Sequence, residues 1–142
     1  MKRKGHISQT YVKRDYEVLP ELYRQAKRQA DYPTSTDKIF RIMASLPTDR
    51  YYICDDAALL YVRKRMLQGK VTTFRTKEKQ RLYDALYREV VGMMKEEKYA
   101  SMGIAGTVIC ALMRPAPCVG LSPEGIGVVF HRKLRKHRHE KI

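Results

Sequence analysis

The sequence predicts a mainly α-helical fold made of two helical pseudo-repeats, and three observations indicate the duplication. The tripeptide Leu-Tyr-Arg at 22–24 recurs at 86–88. A proline followed by a short extended run and a new helix start occurs at Pro47 and again at Pro115. The helix after each proline ends in a cluster of cations, at 63–65 and at 132–136. Two similar units of about 50 residues are typical of a duplicated helical module.

Composition divides the chain into five segments. The first residues are basic and lack apolar periodicity, and Gly69 with the Thr72-Thr73 pair marks a connection between the repeats. The predicted organisation is a flexible basic arm at 1–14, helical repeat 1 at 15–68, a linker at 69–76, helical repeat 2 at 77–136 and a basic tail at 137–142. Either one shared core or two separate cores is compatible with this division.

The first repeat is predicted to hold three helices. Pro20, which suits a first helical turn, begins a helix over 20–30. Thr34 or Thr36 caps a second helix, which Pro47 ends. The tyrosine-rich run 50–53 favours an extended segment. Two acids then begin the third helix, because negative charge in a first turn suits the helix dipole.

The second repeat is predicted to open with the longest helix, over 77–98. Residues 101–130 contain two charged residues and are predicted to form the hydrophobic centre of the fold. Ser122 and Pro123 give a strong start to a final helix that runs towards residue 135. The extended segments 51–53 and 119–121 are predicted to pair as a minimal two-stranded ribbon, which places the two third helices side by side.

The chain is strongly basic. Its 142 residues carry a formal net charge of +14 and 44% of them are hydrophobic, so the sequence can fold around a core. Such a charge attracts polyanions and favours nucleic acid, or an anionic membrane surface, as the partner. The longest apolar run, 102–113, is shorter than the roughly 20 residues of a membrane-spanning helix. Because the first residues lack the apolar stretch of a signal peptide, a soluble cytoplasmic protein with no membrane partner is predicted.

The cationic helix ends are the predicted binding site. Lysine and arginine side chains there can neutralise phosphates, and tyrosines beside them can stack on bases. For Tyr51, Tyr52 and Tyr61 a packing role is equally compatible with the sequence. The predicted nucleic-acid-binding residues are Tyr61, Arg63, Lys64, Arg65, Lys70, Arg132, Lys133, Arg135 and Lys136.

The sequence offers little for catalysis or metal binding. None of its four histidines has a cysteine or acid at ligand spacing, except that Glu140 follows His139. The three cysteines form no CxxC pair, and no phosphate-binding glycine loop is present. The acids at 55 and 56 suit helix capping better than a two-metal site. A protein without catalytic activity, metal or cofactor is therefore predicted.

Residues 115–122, 50–53 with 57–58, and 79–83 together carry a short signature. They resemble a group of small proteins from Bacteroidetes and their mobile elements, which twice repeat Pro-Ala-Pro, a short aromatic strand and a Ser- or Asp-capped helix. The resemblance covers residues 34–136 and implies no activity, because no function is established for that group. The chain departs from the pattern where Pro47-Thr48-Asp49 replaces Pro-Ala-Pro and where Val119-Gly120 replaces an aromatic pair.

The stretch 120–126, followed by His131-Arg132-Lys133, is similar in kind to the recognition helix of sigma-factor-like helix-turn-helix domains. That resemblance implies a helix whose N-terminal residues reach base edges in the DNA major groove. Two departures count against it. The connection 114–121 is longer than the motif's turn of three or four residues, and the base-facing positions are glycines.

These observations predict a non-enzymatic nucleic-acid-binding protein that uses cationic helix ends and basic tails, with DNA preferred over RNA and modest sequence preference. The alternative is a structural or adaptor protein of a phage or mobile element. Such a protein would dock on a protein partner, or associate with itself, through the apolar region 101–130.

Overall fold

The computed structural model describes residues 8–30 and 35–134, and the regular structure within them is almost entirely helical, which confirms the mainly α prediction. The helices are α1 (Gln9–Lys13), α2 (Leu19–Gln29), α3 (Thr36–Ser45), α4 (Asp55–Gln68), α5 (Lys77–Met93), α6 (Glu97–Leu112) and α7 (Pro123–Val129). π-Helical turns at Arg14–Val18 and Phe130–Leu134 precede α2 and follow α7.

Side-chain caps set several of the helix starts. The hydroxyls of Ser35, Thr76 and Ser122 each accept a hydrogen bond from a backbone N–H three residues later, which satisfies a donor of the first turn. The prediction that Thr34 or Thr36 caps α3 is wrong, because Ser35 is the cap and Thr36 is the first helical residue. At the far end of α4, Gly69 adopts a left-handed φ of 66° and ends the helix.

Two predicted boundaries differ from the structure. Helix begins at Gln9, inside the segment predicted as a flexible arm, because Ser8 caps it and the Tyr11 hydroxyl accepts a hydrogen bond from the Cys54 N–H at 3.3 Å. The helix predicted over 77–98 ends at Met93, and a turn at 94–96 precedes α6. The rest of the predicted arm, 1–7, and the predicted tail lie outside the described residues.

The buried side chains form two clusters, and each cluster draws on both predicted repeats. α4 packs against α5 and α6, so that Ala58 and Val62 lie among core residues of repeat 2. α7 packs against α3, so that Ile126 and Val129 lie among core residues of repeat 1. The third helix of each repeat therefore completes the core of the other. The prediction that the two third helices lie side by side is wrong, because each packs in a different cluster.

The buried positions of α3 and α6 correspond at a spacing of 68 residues. α3 buries Ile39, Phe40, Met43 and Ala44, and α6 buries Thr107, Val108, Ala111 and Leu112. Thr48 and Ala116, also 68 positions apart, form an isolated antiparallel bridge with hydrogen bonds of 3.1 and 3.0 Å. The prediction that 51–53 pairs with 119–121 as a ribbon is wrong, because the two connections pair only through this bridge in the described residues. The segments diverge after it, because Tyr51 enters one cluster and Val119 the other.

α6 is kinked at Gly103, whose φ of 87° and ψ of 174° belong to a backbone region essentially restricted to glycine. Replacing Gly103 by alanine should therefore lower the free energy of unfolding by about 1–3 kcal/mol. This loss of stability comes from the backbone conformation and not from crowding, since nothing lies within 4 Å of a Cβ added at Gly103.

Gly92 in α5 provides the matched control for this substitution. It has the same free space as Gly103 but a helical backbone, so Gly92→Ala should raise the free energy of unfolding by about 0.5–1 kcal/mol. Urea denaturation followed by circular dichroism measures both changes. Changes of the same sign would contradict this explanation of the kink.

Candidate nucleic-acid interface

Residues 63–81 form a strongly basic part of the described chain, which we call the basic segment. They contain eight lysines and arginines and a single glutamate, so they carry +7 of the net charge of +14. The segment folds as the second half of α4, the connection 69–76 and the first turns of α5. Seven of its cations are exposed: Arg63, Lys64, Lys70, Arg75, Lys77, Lys79 and Arg81.

In the part of the chain that the structure describes, these exposed cations form no ion pair with an acid. Within residues 8–30 and 35–134, the ion pairs are formed by Arg14, Arg24, Arg28, Arg65 and Arg114, and none involves the seven exposed cations. Like charges at this density repel one another and attract a polyanion. The surface positions of Arg63, Lys64 and Lys70 are therefore compatible with their predicted role in phosphate binding.

Arg65 and Tyr61 are held in structural contacts instead. Arg65 Nη1 lies 2.7 Å from Asp84 Oδ1, and the guanidinium stacks 4.1 Å from the centre of the Tyr87 ring. Tyr61 is 3% exposed, and its hydroxyl donates to the same carboxylate oxygen at 2.6 Å. Both side chains join α4 to α5. Tyr61 thus presents no ring surface to a base, and its contact is one of packing.

Asp84 is the acceptor at the centre of this contact. Partial burial opposes its ionisation, but hydrogen bonds from Tyr61 and Gln80 and the charge of Arg65 hold the pKa of Asp84 below its usual range. A pKa depressed by folding adds stability that is complete above the unfolded pKa of about 3.9. That stability is lost as the pH falls through the folded pKa. Asp84 therefore stabilises the α4–α5 packing at neutral pH.

Replacing Asp84 by asparagine should lower the free energy of unfolding by about 1–3 kcal/mol at pH 7, because charged hydrogen bonds are lost. The difference from the wild-type protein should shrink below about pH 4, because the carboxylate then takes up a proton in the unfolded chain before it does so in the folded protein. Urea denaturation at several pH values measures this. Glu97→Gln, at an exposed position in the first turn of α6, is a control expected to lower stability by less than about 1 kcal/mol, the contribution of a charge to the helix dipole. A difference that stays constant with pH would show that the charge of Asp84 is not responsible.

The connection 69–76 is anchored on α5. Gln80 Oε1 accepts a hydrogen bond from the Phe74 N–H at 2.8 Å, and the Gln80 amide donates to the Thr72 carbonyl at 3.3 Å. The Phe74 ring packs with its centroid 4.4 Å from that of Tyr83. Lys70 and Arg75 therefore extend from a connection whose backbone is tied to a helix.

Two adjoining clefts extend the basic segment towards the second predicted cluster. One, of about 520 Å³, is lined by Lys77 and Arg81 of α5 and by Arg41 of α3. The other, of about 580 Å³, lies between α3 and α7 and is lined by Arg41 and Arg132. Arg41 and Pro123 belong to both clefts. The lining also holds three acids, Asp37, Glu78 and Glu124.

The second predicted cluster is described in part. Arg132 is exposed, Lys133 lies in the π-helical turn after α7, and Arg135 and Lys136 lie outside the described residues. Sequence reasoning missed Arg41, Lys77 and Arg81, because the fold brings them together from two helices far apart in the chain. The spacing of Lys77 and Arg81 was an available signal, since residues four apart share a helix face.

Tyr51 and Tyr52 are core residues. Both side chains are buried, and the Tyr52 hydroxyl donates to Asp49 at 2.7 Å. Burial raises the pKa of Tyr51 to about 12. The packing alternative is therefore the correct one for these two tyrosines, and neither offers a ring face to nucleic acid.

Among the described residues, no three His, Cys, Asp or Glu side chains lie close enough to hold a metal ion. None of the described helices is both long and apolar enough to cross a membrane. No protein-family model, curated protein or solved structure matches the chain. The candidate interface is thus defined by its own charges and their placement.

Proposed function

We propose that this protein binds nucleic acid without catalysing a reaction, through the basic segment and the clefts beside Arg41 and Arg132. The observation that carries the proposal is the exposure of seven cations in the basic segment, none of which pairs with an acid in the described part of the chain. Phosphates recur every few Å along a nucleic acid, so clustered cations can contact several of them at once.

DNA is the preferred ligand in this proposal. Sequence-specific RNA recognition relies largely on unstacked bases that stack on aromatic rings. Tyr51, Tyr52 and Tyr61 are buried and do not supply such rings. Contacts to backbone phosphates position a protein on DNA but carry no sequence information directly, so sequence preference should be modest. A helix-turn-helix is not part of the proposal, because ten residues separate α6 from α7.

Anisotropy titrations with labelled duplex DNA, single-stranded DNA and RNA at several salt concentrations test the proposal. Binding at about 50 mM salt is expected, with affinity that falls steeply as salt rises. The log–log slope on duplex DNA should be near −0.9 per phosphate contact, hence about −4.5 for five contacts. Absence of binding to all three ligands at low salt would reject it.

Protein docking is the second candidate function, and the surface of α6 favours it. Met102, Ile109 and Met113 are large apolar side chains that lie exposed to solvent. Large apolar side chains grouped on an exposed surface are a feature of interaction sites. In this alternative the protein is a structural or adaptor component of a phage or mobile element. Sedimentation with and without a candidate partner would show whether the protein forms a complex.

Two further properties belong to the proposal. We infer that the two units arose by tandem duplication, because their buried positions correspond at 68 residues. We also place the protein in the cytoplasm. Its three cysteines are free in the structure, as is usual where thiols are kept reduced.

A further inference from the structure

The exchange of third helices gives each helix pair a counterpart 68 residues away. α7 packs on α3, and α4 packs on α6. In the first pair, Arg41 and Val128 line a common cleft. The residues at the corresponding positions of the second pair are Ile109 and Leu60. The correspondence between the two helix pairs therefore implies that Ile109 and Leu60 lie on one side of the α4–α6 pair.

This side of the pair, which we call the α4–α6 face, comprises Leu60, Arg63, Lys64, Ala105, Ile109 and Met113. It differs in chemistry from its counterpart, because Ala105 and Ile109 stand where the α3–α7 cleft has Asp37 and Arg41. The position of Gly127 is taken by Leu59, which packs on the core. Asp55 and Asp56 stand at the positions of Pro123 and Glu124, so the charges of the second pair lie on α4, whereas its α6 side is apolar.

The large apolar side chains of the α4–α6 face lie in water. Leu60 is 58% exposed, Ile109 48% and Met113 63%. Ala105, Ile109 and Met113 follow one another at four-residue intervals, so they form a stripe along α6. Covering such a stripe is favourable, and methionine adapts its shape to different partner surfaces.

Cations border this stripe. Arg63 and Lys64 lie one turn after Leu60 on α4, and both are exposed. α6 carries no charged residue between Lys98 and Arg114. A partner that covers the face must therefore supply apolar side chains at the centre and carboxylates opposite Arg63 and Lys64, which lie one turn beyond Leu60. One turn before Leu60 the same side of α4 carries the exposed acid Asp56, which repels a carboxylate. A second copy of this chain would bring the same cations and another +14, which disfavours self-association through this face.

We propose that the α4–α6 face docks an amphipathic helix of a partner protein, with acidic residues along one edge of its apolar stripe. A helix can lay apolar side chains at i, i+3 or i+4 and i+7 against such a surface, and its carboxylates then reach Arg63 and Lys64. This docking does not rest on the proposed nucleic-acid binding, although the two ligands share Arg63 and Lys64 and should compete for the protein.

The probe is a fluorescein-labelled helical peptide with leucines at that spacing and glutamates along one edge. The full-length protein should bind it, and replacing the glutamates by lysines should weaken binding at least tenfold. The double variant Leu60→Gln and Ile109→Gln should also weaken binding at least tenfold, because it removes apolar contacts and leaves the charge unchanged. Val128→Gln is the matched control. It lies at the position that corresponds to Leu60, is 49% exposed, and should bind within twofold of wild type.

Equal binding of the glutamate and lysine peptides, or equal binding by the double variant and the wild-type protein, overturns the proposal. The proposal is also overturned if sedimentation shows a dimer of the wild-type protein that the double variant does not form, because the face then binds a second copy of the chain. A third outcome also overturns the proposal. If the protein does not bind the peptide but binds vesicles of anionic phospholipid, and the double variant does not bind these vesicles, the ligand of the face is a membrane surface. Circular dichroism checks that the exposed substitutions leave the fold intact. DNA affinity should not change in the double variant, so the two proposals fail separately.

Discussion

Dividing the chain between Lys70 and Val71 should give two fragments that stay largely unfolded alone and fold when mixed. The first fragment contains α2 and α3 but lacks Ile126 and Val129, which lie in the same cluster. The second contains α5 and α6 but lacks Ala58 and Val62. An incomplete core does not offset the loss of chain entropy on folding, so each fragment needs the third helix that the other carries.

Circular dichroism and size-exclusion chromatography of the separate and mixed fragments measure this complementation. The helical signal of the equimolar mixture should exceed the sum of the separate signals, and a one-to-one complex should elute. A first fragment with Val62→Asp is the control, because Val62 is fully buried and a charge there should prevent complementation. Cooperative thermal unfolding of either fragment alone would show that each repeat folds without its exchanged helix.

Removing three exposed cations from the basic segment should weaken DNA binding far more than removing three elsewhere. The variant is Arg63→Ala, Lys64→Ala and Lys70→Ala. If each side chain makes one phosphate contact, the log–log slope with salt should become shallower by about 2.7. Affinity at about 0.1 M salt should then fall by more than about tenfold. The fold should be retained, because all three side chains are exposed and none forms an ion pair among the described residues.

The matched control for this triple variant is Lys27→Ala, Lys95→Ala and Lys98→Ala. These lysines are also exposed, and their loss lowers the net charge by the same amount. The control should change the salt slope by less than about one unit, since long-range attraction alone is screened within about 8 Å at physiological salt. Equal effects of the two triples would mean that binding follows total charge and is not located in the basic segment.

The starts of α4, α5 and α7 were predictable from the local sequence, whereas the start of α1 and the packing partners of the helices were not. The start of α7 follows from Ser122 and Pro123, whose cap and fixed φ act within a single turn. The end of α5 at Met93 was missed, because Lys95 and Glu96 favour helix and Gly92, the nearest glycine, is itself helical and precedes the turn. The exchange of third helices depends on contacts between residues far apart in sequence, which short-range patterns do not encode.

The same distinction holds for the candidate interface. Arg63 and Lys64 were expected on the surface, because cations at a helix end face solvent unless an acid binds them. Arg65 was expected to act with them, and its contact with Asp84 was not foreseen because that carboxylate lies 19 positions further along the chain. Burial of Tyr61 follows from the same contact between α4 and α5.

The exchange of third helices also sets the order in which the chain can fold as it is synthesised. α2 and α3 emerge from the ribosome early, but the side chains of α7 that complete their cluster follow only after Pro123. Until then their apolar faces stay open to solvent and to other nascent chains, a condition that favours aggregation or chaperone capture. A translational stop before α7 therefore leaves an unfinished amino-terminal core, even though every residue of α2 and α3 has been made.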